Sequence, residues 1–117
     1  MGTPAINDEV LTIGSEKSND QISINFNTLR RSVLTLRAIN HQLRQEIISL
    51  LDKDGRMTVT DIYVKLRLEQ SVASQHLAIL RRAGVLKTER DGKFIYYSVN
   101  NDRLKEISSF IEDLVNS

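Results

Sequence analysis

Between Ser71 and Gly84 the chain carries Ser74, Gln75, His76 and Arg82, set among apolar residues at Val72, Leu77 and Leu80. If the apolar positions turn inward on a helix, these polar side chains are left on its outer side. Their chemistry is that of reading base-pair edges, since Gln matches adenine, Arg matches guanine and Ser serves either. Gln70 and Ser71 stand where that helix begins, so free backbone N–H groups and the positive end of the helix dipole favour a phosphate oxygen there. Further on, Lys87, Arg90 and Lys93 surround an Asp91-Gly92 pair, where they can reach a backbone or a minor groove and raise affinity with little sequence information. Plainer readings exist. His76 could pack at the helix edge, and the three basic residues could be a solvated hairpin whose charge prevents edge pairing. The hairpin's place directly after the candidate reading helix favours phosphate contact.

Other chemistries find less support. Ser, His and Asp all occur, but no nucleophile motif sets them together, so no catalytic residue is assigned and an enzyme is not expected. The sequence has no cysteine, which excludes disulfides, thiolate metal sites and a thiol switch. His41 has no acidic or His partner at ligand spacing and reads as structural or surface. No metal and no cofactor are expected.

The elements that must position these residues can be read from period and punctuation. Residues 1–20 show no sustained period and read as a poorly ordered arm, leaving 21–117 as a single domain. Phe26, Leu29, Val33 and Leu36 recur every three or four residues. Ile39, Leu43, Ile47, Leu50 and Leu51 continue that spacing to Gly55, as two helices or as one bent near residues 38–41. Thr58 suits an N-cap, with Asp61 in the first turn, for a short helix carrying Ile62 and Leu66 inward and ending by Arg67-Leu68. Ser71 is the next cap candidate, for a helix ending at Ala83-Gly84; two short helices so close in sequence make a helix-turn-helix. Residues 85–90 and 93–99 are rich in β-branched and aromatic residues and flank Asp91-Gly92, a hairpin signal. Leu104, Ile107, Ile111 and Leu114 then mark a last helix, capped by Asn101 or Asp102 and widened by Phe110. The order is helix, helix, helix-turn-helix, hairpin, helix: a mainly α chain with one small β-hairpin in a winged-helix layout.

At 117 residues, with 40% hydrophobic and 26% charged residues, the chain has room for one packed core and is neither a polyion nor a membrane protein. It shows no secretory signal, so a cytoplasmic location is the default. Its formal charge of +1 conceals an uneven distribution: one Lys against four acids in residues 1–29, thirteen basic against seven acidic in 30–100, and two against four in 101–117. The basic excess falls on the helix-turn-helix and hairpin, as a nucleic-acid surface requires.

The stretch LEQSVASQHLAILRRAGVL, followed by KTERDGKFIYYSV and preceded by NHQLRQEIISLL, resembles the helix-turn-helix and wing of the ArsR/SmtB family of bacterial transcriptional repressors. The resemblance covers roughly Leu36 to Leu114. It implies a homodimer whose paired recognition helices enter successive major grooves of an imperfect palindrome in double-stranded DNA, with contacts from Gln70, Ser71, Ser74, Gln75 and His76. The outer helices would form the interface, giving Leu29, Val33, Leu36, Leu104, Ile107, Ile111 and Leu114 as seam residues; the last stripe is either core or seam, and its period near 3.5 and terminal position favour a seam packed against the Phe26 to Leu36 helix or its two-fold mate. Metal-sensing members often carry Cys-x-Cys at the start of the first motif helix. Here that place is Thr58-Val59-Thr60, and hydroxyls are poor ligands for soft metals. The metal-sensing part of the family function is therefore not carried over, and the inducer is left open. Arg67 stands where the turn usually has Gly, implying a different turn or a strained left-handed residue. Glu69 replaces a common small polar residue beside the phosphate point. The competing reading is a winged-helix module for protein partners, which apolar exposure on the recognition helix would favour.

Overall fold

The computed structural model describes residues 5–6, 9–14 and 20–116. It divides into two compact units between Arg37 and Ala38.

In the first, β1 (Ala5–Ile6), β2 (Val10–Ile13) and β3 (Ile22–Asn25) form an antiparallel sheet in that order. β1 and β2 fall within residues 1–20, which the sequence reading took as an arm ahead of a single domain over 21–117. Residues 1–4, 7–8 and 15–19 of that expectation lie outside the described residues. Four-residue strands are too short to show a period, but they carry β-branched residues at alternate positions. The register pairs Leu11 with Ile24 and Ile13 with Ile22, which puts four aliphatic side chains on one face. Asn25 ends β3 and opens α1 (Phe26–Ile39), where its Oδ1 accepts from the Thr28 N–H at 3.0 Å.

The second unit holds the core. α2 (Gln42–Asp54) is separate from α1, with His41 extended at its N-cap and Gly55 at its end. Its buried residues, Ile47 and Leu51, join Ile62 from α3 (Val59–Lys65), Ala73, Leu77 and Leu80 from α4 (Gln70–Arg82), and Val85, Leu86, Val99 and Ile107. The wing pairs β5 (Leu86–Asp91) with β6 (Phe94–Val99), and β6 also pairs with β4 (Met57–Thr58), giving the order β4-β6-β5. α5 (Asn101–Asn116) closes the chain. No helix among the described residues is long and apolar enough to cross a membrane.

Three local details differ from the sequence reading. The hairpin's two central residues are Gly92 and Lys93, with Asp91 opposite Phe94 as the closing pair. Gly92 has φ +64° and no other residue of the turn has positive φ, the pattern of a turn that needs glycine only at its first central position. Ser71 is not a cap: Glu69 precedes α4 and makes no side-chain capping bond. Asn100, rather than Asn101 or Asp102, caps α5. Its Oδ1 accepts from the Arg103 N–H at 3.3 Å while its Nδ2 donates to the Gly84 carbonyl at 3.0 Å.

Candidate nucleic-acid interface

Thr58 and Asp61 form a reciprocal capping box, each side chain accepting the other's backbone N–H at 3.2 Å. The helix this box starts, α3, ends in a Schellman closure, with the Leu68 N–H donating to the Tyr63 carbonyl and the Arg67 N–H to that of Val64. Such a closure needs a left-handed residue, and here it is Arg67, at φ +56°. α4 ends by the same device around Gly84, φ +78°, with Val85 donating to Leu80 and Gly84 to Arg81. The two closures set the turn before the recognition helix and the turn into the wing.

α4 is thereby held by Ala73, Leu77 and Leu80. Val72, expected to point inward, is only half-buried, because the stripe runs one position later through Ala73. Gln70, Ser71, Ser74, Gln75, Arg81 and Arg82 are exposed, and α4 exposes no large apolar side chain. His76 differs from its neighbours in being half-buried. Its Nδ1 lies 3.2 Å from Nη1 of Arg44 on α2, and its ring centroid is 4.9 Å from that of His41. Burial, followed by the charges of His41 and Arg44, lowers its pKa below the usual 6.5. Arg44 also donates through Nε to the Ala38 carbonyl at 2.6 Å.

Lys87, Arg90 and Lys93 are exposed on the wing. Lys93 occupies the turn itself, with Nζ 5.4 Å from the centroid of the Phe94 ring, and Arg90 Nε donates to the Gly92 carbonyl at 3.1 Å. Sequence reasoning missed Arg56. Its guanidinium lies 4.2 Å from the centroid of the Tyr96 ring, 3.1 Å from Asp91 and 3.7 Å from Glu89. It offsets the two carboxylates of the wing strand and leaves the basic tip unopposed. Only the β4–β6 pairing brings Arg56 to the wing, and no sequence period signals a two-residue strand.

The residues expected at the seam fall in different settings. Leu29, Val33, Ile111 and Leu114 are exposed and Leu36 is half-buried, whereas Ile107 belongs to the core. Leu104 lines a cavity of about 470 Å³ with Ile39, Ile48 and Val99. Phe110 and Val115 extend the uncovered stripe of α5. Among the described residues no three His, Cys, Asp or Glu side chains stand close enough together to hold a metal ion.

The model of the family described as bacterial regulatory protein, arsR family, matches residues 41–88, from the start of α2 into β5. The transcriptional repressor PagR of Bacillus anthracis is 35% identical over 91 residues, which cover 78% of this chain and 91% of PagR. The transcriptional repressor SdpR of Bacillus subtilis is 36% identical over 80 residues, 68% of this chain and 88% of SdpR. The crystal structure of PagR superposes with a TM-score of 0.60 at 36% identity, over 74% of this chain and 99% of that one. The family match takes in the helix-turn-helix and the start of the wing, and the likeness spans nearly the whole of each relative. The chain belongs to the ArsR family of bacterial DNA-binding transcriptional regulators.

Proposed function

We propose that this regulator is a homodimeric repressor that recognises an imperfect palindrome in double-stranded DNA and does not use a metal ion as its signal. The observation that carries the reading is the outer face of α4, where Ser74, Gln75 and Arg82 are exposed and large apolar side chains are not. Gln75 and Ser74 read base edges in the major groove, Arg82 adds a contact to guanine or phosphate, and Gln70 and Ser71 take a phosphate at the helix start. Lys87, Arg90 and Lys93 hold the flanking backbone or minor groove. The same face argues against a protein-binding module, which needs apolar anchors there.

Dimerisation is supported by the uncovered apolar stripes of α1 and α5, and a two-fold axis converts one recognition helix into two related half-site readers. PagR and SdpR bear the name repressor, which supports that direction of control. The absence of metal signalling is supported by the lack of cysteine and by the use of Thr58 as a helix cap in the place where metal-sensing members carry a thiolate.

Selection of bound duplexes from a random pool, followed by mobility shift at moderate salt, tests this. A palindromic sequence bound at least a hundredfold more tightly than random duplex is expected. Equal binding of both overturns the reading, and a stoichiometric protein partner without DNA retention replaces it with the interaction module.

A further inference from the structure

The half-buried His76 and its partner on α2 carry a consequence for how the recognition helix is read, one that rests on the DNA-binding role just proposed. Arginine offers only N–H donors. A guanidinium nitrogen 3.2 Å from His76 Nδ1 therefore requires that Nδ1 present its lone pair, which leaves the ring proton on Nε2. The other ring contact is with His41 at 4.9 Å between centroids. No buried side-chain nitrogen or oxygen of the described residues lacks a hydrogen-bond partner. Among the described residues the ring of His76 hydrogen-bonds to Arg44, and its Nε2 is not a buried unpaired atom, so it keeps access to solvent.

We infer that Arg44 is a positioning residue for DNA recognition: it holds His76 in the Nε2–H tautomer and so presents the imidazole to DNA only as a hydrogen-bond donor. A neutral donor at that point of α4 suits the acceptors of the major groove, N7 and O6 of guanine, N7 of adenine or O4 of thymine, and rejects the exocyclic amines of adenine and cytosine. The guanidinium is itself anchored on the Ala38 carbonyl at the end of α1, so the bond that sets the tautomer is held by two helices besides the one that reads. Burial and the neighbouring charges of His41 and Arg44 keep the ring neutral where free histidine would begin to protonate.

The test has two independent arms. In the free protein, long-range proton–nitrogen NMR of the imidazoles should show His76 as a single tautomer with a pyridine-like Nδ1. Arg44→Met should give the mixture of tautomers of an unconstrained ring, while circular dichroism verifies that the fold is kept. A mixture in the unsubstituted protein, or the same spectrum after Arg44→Met, overturns the inference and leaves the DNA-binding role standing.

The second arm uses a duplex recovered from the random pool. His76→Ala should lose on the order of tenfold in affinity for it, and His76→Gln, which keeps an N–H donor, should return to within about threefold. Arg44→Met should lose a similar factor, and the double variant no more than His76→Ala alone, because both remove one contact. Additive losses, or a Gln variant as weak as the Ala variant, overturn the donor role. If no duplex is preferred over random DNA, the DNA-binding role itself falls, whatever the spectrum shows.

Discussion

His76 is half-buried against Arg44 and His41 on a helix whose outer side is polar. Its lowered pKa has a stability consequence whose sign is determinate. The native value lies below 6.5 and the unfolded value close to it, so the unfolded chain binds the proton first as pH falls. The stability that depends on the neutral ring is thus present above pH 6.5 and is lost as pH drops through the native value. Urea unfolding of the protein and of His76→Gln should run parallel above pH 6.5 and diverge below it, with the variant declining less. In the proposed complex, Gln75 and Lys93 separate the two kinds of DNA contact. Gln75→Ala should cost about 1–3 kcal/mol on the selected duplex and little on random DNA. Lys93→Ala should weaken both alike and reduce the salt slope by about one ion. Equal losses on both duplexes for both variants would show the roles to be misassigned.

At the scale of elements, the left-handed Arg67 is the most direct target. A non-glycine residue at φ +56° bears a steric penalty between Cβ and the following carbonyl that glycine escapes. Glycine also frees the unfolded chain, which offsets part of the gain. Arg67→Gly should therefore stabilise the protein by about 0.5–1 kcal/mol, read as a rise in the denaturation midpoint at constant m-value. The departure from glycine at this position was legible in the sequence, and so were the α3 cap at Thr58, the hairpin and the helix order, because each has a residue that local physics demands. The elements that were not legible are those whose partners are distant. The two-residue β4 exists through its pairing with Tyr96 and Tyr97, and Asn100 caps α5 while also holding the Gly84 carbonyl. Ser71 looked like a cap because serine favours that role, yet α4 starts earlier, after Glu69. The short β2 and β3 become visible only when paired, since neither strand shows a period alone.

For the whole molecule, the uneven surface matters most. Ile111 and Leu114 are 40% and 63% exposed on α5, beside Phe110 at 48% and Val115 at 74%. A row of this kind on a small protein marks a surface meant to be covered. If the proposed homodimer forms through this row, Leu114→Glu should shift the protein from dimer to monomer in sedimentation equilibrium. It should also reduce affinity for a full palindrome far more than for a half-site, because only the dimer gains from both halves. A variant that stays dimeric would place the seam elsewhere.

The strand made by Met57 and Thr58 has a last consequence. Thr58 is at once the cap of α3 and the partner of Tyr96 in the wing, and Arg56 beside it grips Asp91. The helix-turn-helix and the wing therefore share one backbone seam. In the proposed homodimer, a signal that leaves this seam intact would act on the distance or angle between the two readers, so that the operator's half-site spacing, rather than the shape of either reader, would be the quantity under control.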